Sequence, residues 1–200
     1  MQASTTNNEI LKILAKESTT QPTITDLARE IGLTRVGMWK MLKKLESEKV
    51  ILLSQIGSGK TSTYTVALNW GNPLVEKQLA VFFTEDALNY QRWLFSFAEL
   101  EDKVEFLILY GSILHTPKKA NDIDLLAVVS RKERFIQIEE TLQKIQKTQV
   151  KKIHLISVTP SELSEELKKQ NRAYSEVIKK GVILFGQEKF IKYSRGRSQR

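Results

Sequence analysis

Apolar residues follow two different spacings along this chain of 200 residues. In roughly the first fifty positions they recur every three or four residues, which predicts helices. After Asp102 they form continuous runs, VEFLILY, IDLLAVV, KKIHLISV and GVILFG, whose composition favours strands. Helical patterns separate these runs, so the sequence predicts two domains of the α/β (α+β) class, the second with a small mixed sheet and helices.

The first domain, predicted over residues 1–70, contains three helices and a hairpin. The first helix covers about residues 7–17. In TITDLAREIGL, Thr25 is the predicted N-cap of a second helix and Gly32 ends it. Thr34 caps a third helix, whose apolar stripe consists of Met38, Met41, Leu42 and Leu45. The segment VILLSQIGSGKTSTYTVAL then predicts two strands joined by a flexible basic tip.

A helical connector is predicted over residues 71–101, followed by the second domain at 102–190. The connector's helical spacing is interrupted near Thr84, which predicts two helices. Its many aromatic side chains require cover, either from the second domain or from another copy of the chain. Residues 191–200 form a basic tail, for which a solvated, disordered segment and a supplementary phosphate contact both remain open.

Composition narrows the class of protein. The chain is 41% apolar and 27% charged, which is typical of a soluble globular protein. It has no cysteine, so disulfides and thiolate zinc sites are excluded. No apolar run reaches the roughly 18 to 20 residues of a membrane helix, and the start lacks a signal-peptide pattern. We therefore expect a cytoplasmic protein with no membrane association. The formal net charge of +8 favours an anionic partner such as nucleic acid.

Basic side chains occupy the side of the third helix opposite its apolar stripe. The candidate contacts for nucleic acid are Thr34, Arg35, Lys40, Lys43 and Lys44 on the helix and Lys60 at the hairpin tip. Gly37 leaves room there for close approach to a backbone. The alternative is a solvated surface. Trp39 lies off the apolar stripe, and its role stays open between DNA contact and packing.

The order helix, helix, turn, helix, hairpin over residues 5–70 resembles the winged helix-turn-helix domains of MarR- and ArsR-type transcription regulators. Lys49 stands where those domains often have glycine. The resemblance implies that the third helix enters the major groove of double-stranded DNA while the hairpin meets the backbone. It also implies transcription regulation and a homodimer that matches two half-sites.

The second domain carries a Gly-Ser pair after its first strand and an Asp-x-Asp at the start of the next. Gly111 and Ser112 are followed by nine residues and then by Asp122, Ile123 and Asp124. This pattern, over about residues 100–188, resembles the DNA polymerase beta type nucleotidyltransferases, above all their minimal members. The closing segment IKKGVILFGQEKF resembles that of archaeal proteins that join a winged helix to this domain.

The chemistry of such a site suits these residues. Side chains at i and i+2 of a strand point the same way, so Asp122 and Asp124 can hold divalent ions, for which we expect Mg²⁺. Gly111 permits a sharp turn, and the groups around Ser112 suit a phosphate of a nucleoside triphosphate. Lys118 and Lys119 either reach that triphosphate or belong to a solvated loop. The alternative is that the aspartates cap a strand and the Gly-Ser forms a plain turn.

Three departures from the family pattern bear on catalysis. Active members place a third carboxylate on a later strand, where it accepts the proton of the attacking hydroxyl. KKIHLISV has no acidic residue, which leaves His154, as a base or weak ligand, or Ser157. The alternative is that His154 is a hydrogen-bonded histidine with no catalytic or ligand role. Pro117 is expected to cut short any helix after Ser112, and ILH follows Gly-Ser where small residues or arginine are common.

Three functions remain open on these observations. The first is a DNA-binding transcription regulator whose nucleotidyltransferase-like domain is a degenerate sensor or assembly module, able to bind nucleotide and Mg²⁺ but without an evident third catalytic carboxylate. The second is an active nucleotidyltransferase that modifies RNA, a protein or a small molecule, with Asp122, Asp124 and His154 as catalytic residues. The third is an antitoxin-like role, since minimal nucleotidyltransferases of this kind are found paired with toxins.

Overall fold

The structure is a computed structural model that describes residues 2–17, 21–58 and 62–198. Within these ranges the chain divides into two compact units. The first unit takes in the chain up to Phe82 together with the residues from Ser194 onward, and the second is Phe83–Tyr193. The predicted α/β (α+β) class is confirmed. None of the helices in the described ranges is long and apolar enough to cross a membrane.

Three helices and a two-stranded hairpin open the first unit. The helices are α1 (Gln2–Lys16), α2 (Ile24–Ile31) and α3 (Arg35–Ser47). Strands β1 (Ile51–Ile56) and β2 (Thr63–Leu68) pair antiparallel, with Ile51 opposite Leu68. The hairpin tip at residues 59–61 lies outside the described residues, and with it the predicted contact Lys60.

Helix α2 begins two residues earlier than predicted. Thr23, not Thr25, is its N-cap: the Thr23 hydroxyl accepts from the amide of Asp26 at 3.2 Å. In return Oδ2 of Asp26 accepts from the Thr23 amide at 3.1 Å, which completes a capping box. The other two predicted caps are confirmed, because Gly32 is left-handed at φ 74° and Thr34 accepts from the amide of Gly37 at 3.1 Å.

Helix α3 turns its apolar stripe inward. Met38, Leu42 and Leu45 are buried, and Met41 is half-buried. After the helix, Lys49 adopts a left-handed conformation at φ 58°. Glycine enters this region without strain, so lysine at this position carries a backbone cost that glycine would avoid.

Two helices follow the hairpin, as predicted. They are α4 (Pro73–Leu88) and α5 (Gln91–Phe97), and a 3₁₀ helix at Ala98–Lys103 continues from α5. The predicted interruption near Thr84 is wrong, because Thr84 lies inside α4 and the helix ends at Leu88. The last helix, α9 (Gln187–Ser198), occupies the segment for which a disordered tail was considered. Its buried Ser194 donates to the carbonyl of Ala15, and its Arg195 pairs with Glu76 at 2.6 Å.

A four-stranded sheet forms the centre of the second unit. Its strands, β3 (Phe106–Tyr110), β4 (Asp122–Val128), β5 (Lys152–Val158) and β6 (Val182–Phe185), are the four that the apolar runs predict. Their order is β5-β4-β3-β6. β4 and β5 run parallel, and β3 is antiparallel to both β4 and β6. The sheet is therefore mixed, as predicted.

Both faces of this sheet are covered. On one face Leu109, Ile123 and Leu125 pack in a core with α5 and with α6 (Arg134–Gln146). Residues of opposite parity face the other way, where α8 (Arg172–Lys180) contacts β3 and α7 (Pro160–Lys168) packs against α8. A break between these two helices occurs at Gln170, whose φ is 55°, and Asn171 then caps α8. The second face thus holds both a helical cover and the candidate site.

Candidate functional site

The two aspartates at the start of β4 lie on the same side of the sheet. Between them Ile123 is fully buried in the core on the opposite face. This alternation is what a strand imposes on neighbouring residues, so it fixes Asp122 and Asp124 as a pair. Both side chains are partly exposed and open toward solvent.

His154 completes a cluster with these aspartates, because β4 and β5 are parallel and in register. Asp124 is paired with His154 along the ladder, and Asp122 with Lys152. Nδ1 of His154 lies 3.5 Å from Oδ2 of Asp122 and 3.7 Å from Oδ1 of Asp124. One ligand atom from each of the three side chains lies within 4.8 Å of the others. Ser157, the other residue considered on this strand, pairs with Ala127 and faces away from the cluster.

Gly111 packs directly against one of the aspartates. Its backbone is at φ 84°, and a Cβ placed on it would lie 2.3 Å from Oδ2 of Asp124. No other residue type fits this position without moving the carboxylate. Ser112 then starts a single 3₁₀ turn, Ser112–Leu114, which ends before Pro117 as predicted. The carbonyl of Ser112 accepts from the amide of Thr116 at 2.9 Å, which holds this turn beside the cluster.

Charge and burial act together on this cluster. Burial raises the pKa of Asp124, the negative charge of Asp122 raises it further, and His154 acts in the opposite direction. Burial, followed by the charge of Asp124, raises the pKa of Tyr110 to about 12. Two like charges are therefore held close together, an arrangement that a bound cation relieves.

A cavity of about 490 Å³ opens beside this cluster, between the sheet and α8. Residues of the sheet and of the Gly-Ser turn form one side, namely Tyr110, Ser112, Leu114, His115, Leu126 and Ile156. The α8 side consists of Ala173, Tyr174, Glu176, Val177 and Lys180. Glu176 and Lys180 form an ion pair one turn apart. The lining of the cavity is mostly apolar with a few polar groups, which is typical of a small-molecule site.

Residues 93–189 match the model of the family described as Polymerase beta, Nucleotidyltransferase. They form a nucleotidyltransferase-like domain. Two solved structures of Lactococcus lactis ZitR, both variants and one in apo form, are 18% identical to this chain. One covers 74% of this chain and 83% of its own with a TM-score of 0.33, and the other covers 72% and 73% with 0.32. Likenesses this distant bear on neither fold nor function. No curated protein matches the chain.

The donor set of the nucleotidyltransferase-like domain fits a divalent cation. Ligands about 2.1 Å from an ion and at right angles to each other are roughly 3 Å apart. The separations of 3.5 and 3.7 Å between His154 and the carboxylates are close to this value. The three ligand atoms lie within 4.8 Å of one another, so the side chains must rotate to bring all three groups onto one ion. β5 itself carries no acidic residue, and the third side chain of the cluster is the imidazole of His154.

The two lysines predicted for the triphosphate lie in the turn that follows Pro117. Lys118 and Lys119 are both exposed, and the contacts of the described residues do not bring either of them to the Asp-His cluster. The next residue, Ala120, accepts through its carbonyl from Nζ of Lys151, which anchors the end of this turn. The roles of Lys118 and Lys119 remain predictions.

On the first unit, the predicted nucleic-acid contacts of α3 are exposed, but they differ in their partners. Lys43 pairs with Glu46 and lies 5.5 Å from the ring centroid of Trp39. Lys44 lies 3.9 Å from Glu48. Within the described part of the chain, neither Arg35 nor Lys40 has an acidic partner. Arg35 and Lys40 can therefore bind an anion without first breaking an ion pair, whereas Lys43 and Lys44 cannot.

The sequence did not predict the structural roles of several residues on these surfaces. Trp39 packs against Tyr64 of the hairpin with ring centroids 5.1 Å apart, which accounts for its place off the apolar stripe. Tyr110 and Tyr174 line the cavity from elements far apart in the chain. Nothing in the local pattern around Tyr174 distinguishes it from an ordinary residue of an amphipathic helix.

Proposed function

We propose that this protein is a DNA-binding regulator whose nucleotidyltransferase-like domain binds a nucleoside triphosphate with a divalent cation but transfers nucleotide poorly. The observation that carries the proposal is the position of His154. It stands beside Asp124 in the ladder, and β5 offers no carboxylate in its place. The pair of aspartates that binds a cation is thus retained, while the carboxylate that accepts a proton during transfer is missing.

The shape and polarity of the site support one orientation of the bound nucleotide. Its phosphates would lie at the Gly111-Ser112 turn, and Asp122 and Asp124 would hold the cation. When bound, the cation supplies charge neutralisation for the phosphates. The base enters the apolar cavity, where Tyr110 and Tyr174 offer aromatic surface. Lys118 and Lys119, which are exposed nearby in sequence, supplement the phosphate contacts.

Support for DNA binding comes from the first unit. Helix α3 presents Thr34, Arg35 and Lys40 on its exposed amino-terminal half, and its opposite face is anchored in the core. In a winged helix-turn-helix domain this half enters the major groove, where arginine and lysine read guanine. Lys43 and Lys44 contact the backbone once released from their glutamates, and Lys60 at the hairpin tip adds a further phosphate contact.

A second copy of the chain is the proposed partner of α4. This helix exposes Leu74, Val81 and Leu88, which are spaced seven residues apart and so form one stripe. In an antiparallel pair centred on Val81, Lys77 comes opposite Glu85 of the partner subunit. A parallel pair would instead bring like charges together. Both residues are exposed and without an acidic or basic partner among the described residues, so charge favours the antiparallel homodimer.

The test combines binding and transfer in the full chain. Binding of each labelled nucleoside triphosphate is measured with and without Mg²⁺, and transfer of label to RNA, protein and small hydroxyl compounds is followed in the same samples. We expect cation-dependent binding without efficient transfer. Asp122→Ala combined with Asp124→Ala should abolish nucleotide binding and leave DNA binding intact. Glu139→Ala combined with Glu140→Ala, on the exposed side of α6, removes the same charge and serves as the control.

An active transferase is the second candidate, and one observation favours it. Nδ1 of His154 lies 3.5 Å from Asp122, close enough to the cluster to accept a proton from an attacking hydroxyl. The acceptor is then RNA, a small molecule or a protein, including a toxin partner in an antitoxin-like pair. Transfer that depends on Asp122, Asp124 and His154 would establish this function and overturn the first proposal.

A further inference from the structure

We propose that the Asp122-Asp124-His154 cluster binds a divalent transition-metal ion, for which Mn²⁺ is the probe, more tightly than it binds Mg²⁺. This inference rests on the proposed function, because it concerns the cation of the same site. The preference follows from His154, which makes the donor set two carboxylates and one imidazole instead of three carboxylates. Two oxygen donors and one imidazole nitrogen are brought together within 4.8 Å, and one of the three is therefore of a kind that Mg²⁺ seldom takes from proteins.

The chemistry of the ligands sets the preference. Mg²⁺ is a hard ion that takes carboxylate, phosphate and water oxygens and gives up its waters reluctantly. Imidazole suits Mn²⁺ less strongly than it suits Zn²⁺, but carboxylates suit Mn²⁺ well, so a mixed set of two oxygens and one nitrogen fits it. At His154, Mg²⁺ would have to retain a water in place of the ring nitrogen. Mn²⁺ can use all three side chains.

The fold holds His154 in this position. It lies in the interior of β5, in unbroken register with β4 from Asp122 to Val128. Asp122 and Asp124 are the acidic partners of its ring among the described residues, and its side chain is 47% exposed. No competing partner draws the ring away. Its exposure also means that the residue can be replaced without opening the core.

The experiment measures cation binding to the full chain in the absence of nucleotide. Binding of Mn²⁺ is read from the loss of the free-ion electron paramagnetic resonance signal, and Mg²⁺ is titrated as competitor. Changing groups that merely orient a ligand already costs about 10- to 100-fold in metal affinity. We therefore expect Mn²⁺ to bind about tenfold or more tightly than Mg²⁺, and His154→Asp to lower that ratio by about tenfold or more.

A spectroscopic readout tests the ligand directly. The chain has two histidines, His115 and His154. Electron spin-echo modulation from an imidazole nitrogen should appear in the Mn²⁺-loaded protein, persist in His115→Ala and vanish in His154→Asp. Unchanged circular dichroism shows that the variants are folded. Loss of Mn²⁺ binding in Asp122→Ala confirms that the ion occupies this cluster.

The outcomes distinguish the preference for Mn²⁺ from the proposed binding of a cation and a nucleotide at this site. Equal affinities for Mg²⁺ and Mn²⁺, or no nitrogen modulation, would overturn the selectivity and leave the cation-nucleotide site standing. Failure of every cation to bind, with or without nucleotide, would overturn both. If the modulation is present and the His154→Asp variant favours Mg²⁺, the imidazole is the group that sets the preference.

Discussion

Nδ1 of His154 lies 3.7 Å from Oδ1 of Asp124, across a parallel ladder in which these two residues are paired. The relationship is imposed by the backbone, since the register of β4 and β5 continues without a bulge over the full length of both strands. The register of the strands therefore fixes a cluster of two carboxylates and one imidazole in the nucleotidyltransferase-like domain. Substitutions at several other residues test the cluster and the surfaces around it.

Gly111→Ala should disable the cation site while leaving the domain folded. The substitution places an L residue at φ 84° and ψ −162°, a region used almost only by glycine, at a cost of about 1–3 kcal/mol. Its Cβ would also lie 2.3 Å from Oδ2 of Asp124, which is too close, so the carboxylate would have to move. We expect loss of Mn²⁺ and nucleotide binding, measured by paramagnetic resonance and calorimetry, and a lower free energy of unfolding measured with urea.

Gly32→Ala is the matched control for this variant. It also places alanine at a positive φ, 74°, but nothing lies within 4 Å of the added Cβ. It should cost about 1–2 kcal/mol of stability through backbone strain alone and leave cation binding unchanged. If both variants bind cations equally well, contact between Gly111 and Asp124 does not shape the site.

The fold was largely predictable because its strongest signals are local. Each strand of the central sheet is a continuous apolar run, and Asp122 and Asp124 share a side because of the alternation within one strand. The N-cap of α2 was predicted wrongly although its signal is also local. Thr23 is followed three residues later by Asp26, the spacing of a capping box, and this reciprocal bond outweighs the candidate Thr25.

The rest of the site depends on contacts between distant segments. The sequence left His154 and Ser157 as alternatives, and only the parallel register of β4 with β5 places His154 beside the aspartates. The cavity requires α8 to pack over the sheet, which brings Tyr174 to the same cavity as Tyr110. No spacing along the chain encodes that juxtaposition, because it arises from tertiary packing.

Tyr174→Ala should weaken nucleotide binding without affecting the cation. The ring lines the cavity proposed for the base, and stacking of a base on an aromatic side chain contributes about 1–3 kcal/mol. The expected loss of nucleotide affinity is therefore about 5- to 150-fold by calorimetry, with unchanged Mn²⁺ affinity. Phe95→Ala, at an 82% exposed position outside the cavity lining, is the control. Equal nucleotide affinity in parent and Tyr174→Ala would place the base elsewhere.

Arg35→Ala and Lys40→Ala should weaken duplex binding more than the other lysine variants of α3. Both residues lack an acidic partner among the described residues, whereas Lys43 and Lys44 must first leave Glu46 and Glu48. If Lys40 contacts a phosphate, its loss lowers the slope of log affinity against log salt by about 0.9. If Arg35 reads a base, its loss costs about 1–3 kcal/mol and relaxes sequence preference.

Fluorescence anisotropy with labelled duplexes over a range of salt concentrations measures these effects. Lys144→Ala, an exposed position on α6 of the nucleotidyltransferase-like domain, changes the net charge by the same amount and is the control. An effect of Lys144→Ala as large as that of Lys40→Ala would mean that net charge, rather than the face of α3, governs binding.

Glu162→Gln should destabilise the protein at neutral pH and lose its effect in acid. Oε1 of Glu162 lies 2.6 Å from Nζ of Lys132, and Oε2 accepts from the Thr159 amide at 2.9 Å. Lys132 first and Thr159 second lower the pKa of Glu162 from its usual value of 4.5 to about 2. Its folded pKa is depressed, so its contribution to stability is present above pH 4.5 and is lost as the pH falls toward 2. Urea unfolding of the parent and of Glu162→Gln across this pH window measures whether their free energies of unfolding become equal in acid. A stability difference that stays constant with pH would contradict it.

Val81→Glu should convert the protein to a monomer if α4 pairs antiparallel with a second copy. In that arrangement the two Val81 side chains meet at the twofold axis, so the variant sets two carboxylates against each other. Ile136→Glu, at an exposed apolar position on α6, should leave the dimer intact and controls for added charge. Lys77→Glu alone should also dissociate the dimer, because it faces Glu85 of the partner subunit, and adding Glu85→Lys should restore it. Sedimentation velocity distinguishes these states, and failure of the charge exchange to restore association would exclude the antiparallel pairing.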